Sequence, residues 1–255
     1  EAKVTARDVF NETLLAMRNV SFRWMMFGFI LFISAWGVSG VLGLYVYTFF
    51  WELSAPQILF VSLMLPFGSM GGYLFAKVYF AWLDKKNAMI FAGLAWMVIH
   101  SIPIFAYMLG LTPTVGTWGV AIFLAVTTVL GGIVVGQVIV GIGTAMADIA
   151  DENELATGLR QEGVFFGASA FANKCSAGLG TLLAGRILEY LDWPSGSEVR
   201  SAADIPADVV FEMAFVSGPV VSLLVIPAVL CLRGYTLNRS RLAEIQAELR
   251  TRNAA

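Results

Sequence analysis

Six long apolar runs alternate with short polar stretches along this 255-residue chain. They lie at about Trp24–Phe50, Gln57–Leu83, Ala88–Gly110, Trp118–Ala147, Gly163–Tyr190 and Phe211–Leu232. Crossing about 30 Å of hydrocarbon takes roughly 20 helical residues at 1.5 Å each, so every run predicts a membrane-spanning helix. Pro56, Pro113 and Pro194 punctuate the connections. Pro66, Pro103, Pro219 and Pro227 fall inside spans, where neighbouring helices can satisfy the freed carbonyls, and they predict bends rather than breaks. The chain thus divides into a polar segment, residues 1–23, a six-helix bundle, 24–233, and a polar tail, 234–255. The tail reads as a surface helix with Leu242, Ile245 and Leu249 on one face, and Phe10, Leu14 and Met17 make a similar stripe near the start.

Composition supports an all-α polytopic membrane protein. Hydrophobic residues are 58% of the chain and charged residues 13%, against roughly 25% charged in soluble domains. A net charge of −2 without a long basic block gives no sign of a nucleic-acid partner. One histidine and two cysteines, Cys175 and Cys231, both inside apolar runs, offer no metal site and no cofactor site. The opening EAKVTARDVFNETLLAMRNVSFRW has the character of an internal cytosolic linker rather than a signal peptide.

An even number of spans puts both ends on one side. Lys3, Arg7, Arg18, Arg23, Lys77, Lys85, Lys86, Arg160, Arg233, Arg239, Arg241, Arg250 and Arg252 all belong to that side, whereas the opposite loops hold only Arg200. The positive-inside rule makes both termini cytoplasmic.

Lys174 stands near the middle of the fifth span, about 16 Å from Gly163 along the helix axis. On a helical wheel Gly163, Gly167, Ala170, Gly178, Thr181 and Gly185 fall within roughly 40° of it, while Phe165, Leu179 and Leu183 point away. Intramembrane charges are expensive and mark pathways or couplings. No Asp or Glu occupies the middle of any span: Glu52, Asp84, Asp148, Glu189 and Glu212 sit near ends. The lysine therefore predicts a carboxylate outside this sequence. Asn173 points about 100° away, where it could bond a neighbouring helix.

Other polar groups leave alternatives open. His100 fits either a hydrogen-bonded packing role or a proton relay. Gln137, Thr127 and Thr128 either line a polar cavity or bond to neighbouring backbone. Trp36, Tyr45 and Tyr47 are either interfacial aromatics or faces on which a sugar could stack. Gly132 and Gly136 have the spacing of close helix contacts. Ser69 in GSMG with His100 is the one pairing that an intramembrane hydrolase could use, although a GxSG nucleophile motif is absent.

The fourth-to-fifth connection reads AMADIADENELATGLRQEGVFFG. Its Asp148, Asp151, Glu154, Thr157, Arg160 and Glu162 suggest a hydrogen-bonded clasp between two helix ends that breaks and re-forms as helices rock. This run, with Gly158, Gly163 and then Lys174, resembles the glycoside–pentoside–hexuronide:cation symporters, the melibiose-permease-like branch of the major facilitator superfamily. The resemblance extends loosely over the whole chain as that family's last six helices, one half bundle, with Asp84–Lys86 similar to its acidic-basic loop.

The resemblance implies a cation-coupled symporter for a sugar, glycoside or similar polar solute, in the plasma (bacterial inner) membrane. It also implies a six-helix N-terminal half of the same polypeptide, whose aspartates face Lys174 and bind most of the co-transported Na⁺ or H⁺. Lys174, Asn173, Gln137, Tyr45 and Tyr47 would then border the cation and solute cavity, and the acidic clasp would be a cytoplasmic gate. Ala170 stands where the family pattern has a threonine, and Ile139 where it has a sugar-stacking tryptophan, so melibiose specificity is not implied. The alternatives are a free-standing six-helix half-transporter or channel acting as a homodimer, and a lysolipid-type transporter of the same superfamily.

Overall fold

A computed structural model of the chain describes residues 16–158, 162–194 and 205–254. All regular structure in these residues is helical. In order the elements are α1 (Val20–Tyr45), α2 (Ala55–Trp82), α3 (Lys85–Met108), α4 (Trp118–Thr157), α5 (Glu162–Tyr190), α6 (Ala207–Phe215), α7 (Val225–Leu232) and α8 (Arg239–Ala254). Two wide π-helical turns extend this set, Val46–Phe50 after α1 and Val216–Val220 after α6.

Local sequence explains most boundaries. Asn19 caps α1 by accepting the Phe22 N–H at 2.8 Å. At the start of α2, Gln57 Oε1 accepts from both the Ser54 backbone N–H and its hydroxyl, at 2.8 and 2.7 Å, and Pro56 lies in the first turn. Pro66 and Pro103 are accommodated within continuous helices. Pro219 sits inside a π-helical turn, where its missing N–H disrupts the regular ladder between α6 and α7. α4 runs on for ten residues beyond Ala147, to Thr157, before Gly158 (φ 78°) closes it in the left-handed region. The stretch Asp148–Thr157 contains no proline and several good helix formers, so the first part of the connection is helix rather than loop. At about 1.5 Å per residue, the 40 residues of α4 exceed any bilayer core and project past it.

Five helical segments are long and apolar enough to span a membrane: Val20–Phe50, Ala55–Trp82, Lys85–Met108, Trp118–Thr157 and Ala207–Leu232. The sixth expected span forms α5, 29 residues long, but it does not share that apolarity, because Gly, Ala and Ser are dense there and Asn173, Lys174 and Arg186 dilute it. The surface is that of a membrane protein turned towards lipid. α2 buries only Gln57, Val61, Gly68, Gly72 and Ala76, a narrow stripe, while Leu59, Phe67, Leu74 and Phe75 are exposed. The protein is a multi-pass, all-helical membrane protein.

Small residues set the tightest contacts. Gly68 and Gly72 of α2 meet Gly132 and Gly136 of α4, so that a Cβ added to Gly132 would lie 2.5 Å from the Leu65 carbonyl oxygen. The Gly132/Gly136 spacing thus has a matching partner on α2. α5 packs along α1 in the same manner, with Gly180 against Gly37.

Candidate functional site

Three features hold the polar chemistry, and the structure separates them. The first is the open face of α5. The helix buries Phe165, Ala168, Ala172, Ser176, Gly180 and Ala184 and leaves Lys174 and Asn173 exposed. A Cβ added to Gly163, Gly167, Gly178 or Gly185 would meet nothing within 4 Å. The whole small-residue stripe around Lys174 is therefore uncovered by the described residues. None of the ion pairs among them involves Lys174.

The second feature is a partly open cavity of about 330 Å³ lined by α1, α2, α3, α4 and the α6 end of the last span. Its walls include Trp36, Tyr47, Trp96, His100, Thr128 and Ser217. His100 lies flat on Trp96, ring centroids 4.7 Å apart and planes 9° apart. Its Nε2 stands 3.3 Å from the Ser217 carbonyl oxygen, which can only accept, so Nε2 carries the hydrogen. Trp36 and Tyr47 thus share one wall of this cavity, whereas Tyr45 packs on Phe49 and on Trp193. Gln137 lies outside it, buried at the α2–α4 contact, where Nε2 donates to the Gly72 carbonyl at 2.6 Å. Of the two sequence readings of Gln137, bonding to a neighbouring backbone is the one seen. Ser69 donates to Leu65 of its own helix at 3.0 Å, so Ser69 and His100 are each bonded elsewhere and form no hydrolase pair.

The third feature is a clasp at the basic end of the bundle. Lys85 Nζ reaches Asp148 Oδ2 at 2.5 Å, joining α3 to α4. Asp151 accepts from Gln246 of α8 at 3.2 Å, and Arg252 of α8 lies 3.8 Å from Glu154. Thr157 donates back to the Asn153 carbonyl at 2.8 Å. Glu162 opens α5, and Arg160 lies outside the described residues. The tail completes the clasp. Arg239 donates to the Phe80, Ala81 and Leu83 carbonyls at the C-terminal end of α2, and Lys86 donates to the Arg233 and Tyr235 carbonyls at 2.7 and 2.9 Å. Burial of Tyr235, helped by the nearby Asp148, Glu152 and Asp84, pushes its phenol above the usual tyrosine range.

Sequence reasoning did not single out Glu152, which accepts from Asn19 at 3.0 Å and Ser21 at 3.3 Å. Nor did it give Arg239 any partner. Those carbonyl contacts join residues some 150 positions apart, and helical periodicity holds no signal for them.

A family model described as MFS/sugar transport protein matches residues 2–239. The chain belongs to that family. Its members are major facilitator transporters of the sugar type rather than enzymes, and the apolar helices place this member in a bilayer. A search of curated proteins gave no match.

Proposed function

We propose that this chain works as the C-terminal half of a cation-coupled symporter that moves a sugar, glycoside or similar polar solute by alternating access. The observation behind this reading is Lys174, a cation on a glycine-lined helix face that the described residues leave uncovered and unpaired. A lysine in lipid is costly, and small residues favour close approach of other helices. A six-helix N-terminal half would cover that face and supply carboxylates, with Lys174 stabilising them while the Na⁺ or H⁺ is absent. Asn173 would border the same interface.

In this reading the basic end is cytoplasmic, as the Lys/Arg distribution requires, in a plasma (bacterial inner) membrane. Asp148, Asp151, Glu154, Thr157, Arg160 and Glu162 then act as a gate that exchanges partners between the inward-open and inward-closed states.

The test is cation-gradient-driven uptake by the full-length transporter with Lys174→Ala. Coupled uptake should be lost, and unimpaired coupled uptake would remove Lys174 from the mechanism.

A further inference from the structure

Basic residues from separate elements meet at the corner where the tail leaves the bundle. Arg23 lies in the first turn of α1, Lys86 in the first turn of α3, and Arg233 directly follows α7. The backbone brings these positions together. Lys86 Nζ donates to the Arg233 and Tyr235 carbonyls, and Gly234 packs so closely on Trp24 that a Cβ there would run into the indole ring. Arg23 and Arg233 are exposed, and neither belongs to an ion pair among the described residues. The Lys86 ammonium keeps one N–H after its two carbonyl bonds. Asp148 is already held by Lys85. The other acids near Tyr235 are Asp84 and Glu152, and Glu152 is engaged by Asn19 and Ser21 on the part of α4 that projects past the bilayer. The corner therefore stays positive.

Just below it the surface is apolar. About one turn deeper, Phe27 of α1 and Leu230 of α7 are exposed, and Ile226 is exposed a turn beyond Leu230. Trp24, 40% exposed, stands between the two zones, at the level where indoles of membrane proteins gather. At this depth the helices also leave a partly open crevice of about 30 Å³, walled by glycines and apolar side chains, Met89, Val229 and Leu232 among them. Unpaired cations at the membrane surface above a lipid-facing apolar strip complement one component of a bilayer, a phospholipid whose headgroup carries net negative charge.

We propose that this corner binds an anionic phospholipid from the leaflet at the basic end. Its headgroup lies on Arg23, Arg233 and Lys86, and an acyl chain runs along Phe27, Leu230 and Ile226. The lipid joins the start of the tail to α1 and α3; it is not the transported solute, and the site does not depend on the transport reading.

The chain in a neutral detergent is titrated with phosphatidylglycerol and with phosphatidylcholine of the same acyl chains, and bound lipids are counted by native mass spectrometry. The first phosphatidylglycerol should bind about ten-fold or more tighter than the first phosphatidylcholine. Arg23→Gln and Arg233→Gln should each weaken it about five-fold and leave phosphatidylcholine binding unchanged. Lys86 is kept, because it also fastens the tail carbonyls. Phosphatidylglycerol should raise the melting temperature of the wild-type chain more than that of either variant. Arg250→Gln, which removes an exposed cation elsewhere on the tail, should change neither readout. Soluble glycerol phosphate should not displace the lipid.

Equal affinity for the two lipids, or an undiminished preference in both arginine variants, overturns the site. An equal loss with Arg250→Gln does so too, because the attraction would then belong to the basic end as a whole. Displacement by glycerol phosphate would assign the corner to a soluble phosphate and overturn the lipid.

Discussion

Lys85 and Asp148 hold the basic end of the bundle together, Nζ to Oδ2 at 2.5 Å, across the gap between the first turn of α3 and the far end of α4. The two partners are unequally buried: the Asp148 side chain is 9% exposed and that of Lys85 27%. Losing the lysine strands a nearly buried carboxylate, whereas losing the carboxylate leaves an ammonium that water can reach.

Lys85→Met should therefore destabilise the protein by about 2 kcal/mol and Asp148→Asn by about 1 kcal/mol. Chemical or thermal unfolding in detergent, run as a double-mutant cycle, checks this. A coupling energy near zero would reduce the pair to the status of a surface ion pair.

Tyr235 gives the protein an alkaline limit. Its folded-state pKa is raised above the unfolded value of about 10, chiefly by burial. Below that pH both states keep the proton and the group contributes no pH dependence. Above it the unfolded chain releases the proton while the folded one retains it, so stability falls by up to about 1.4 kcal/mol per pH unit. Tyr235→Phe should flatten this part of the stability curve between about pH 10 and 11.5. Superimposable alkaline limbs for the two proteins would contradict the assignment.

The α2–α4 seam tolerates no side chain where glycines face each other. A Cβ on Gly68 would run into the Val129 carbonyl oxygen, and one on Gly136 would come within 2.6 Å of that of Ser69. Backbone atoms cannot rotate away, so Gly68→Ala and Gly136→Ala should each cost about 1–3 kcal/mol despite the better helix propensity of alanine. Gly143 of α4, with nothing within 4 Å, is the control: Gly143→Ala should be neutral or stabilising by up to about 1 kcal/mol. Melting temperatures of the three variants in one detergent decide it.

Lys174 separates function from stability. Because it is exposed and has no ion pair among the described residues, Lys174→Ala should change the unfolding free energy of the 255-residue chain by less than about 0.5 kcal/mol. A loss of 2 kcal/mol or more would mean that the lysine braces this half bundle, and its proposed coupling role would lose its basis.

Much of this was legible along the chain because lipid imposes simple rules. Uninterrupted apolar runs and Gly132/Gly136 spacing mark helices and one close seam, and these have their counterparts in the fold. Pro219, expected only to bend the last span, instead interrupts its α-helix with a π-helical turn. The stripe around Lys174 could be drawn on a helical wheel, since an α-helix fixes which residues share a face. What lies opposite a face is another matter. Periodicity gave no reason to seat Trp36 and Tyr47 in one cavity with His100 while leaving Tyr45 against Trp193. It also left Gln137 undecided between cavity and backbone, a choice made by the Gly72 carbonyl two helices away.

The sequence by itself determined the class of protein, the helical segments, the sugar-transport family and the one costly intramembrane cation, because composition, length and local geometry act within a single helix. Only the tertiary structure decided that the described residues leave the Lys174 stripe uncovered, that the acidic run fastens onto α3 and the tail, and that Trp36, Tyr47 and His100 line one cavity elsewhere. Those outcomes depend on which helix lies beside which, and that is set by packing between residues far apart in the chain.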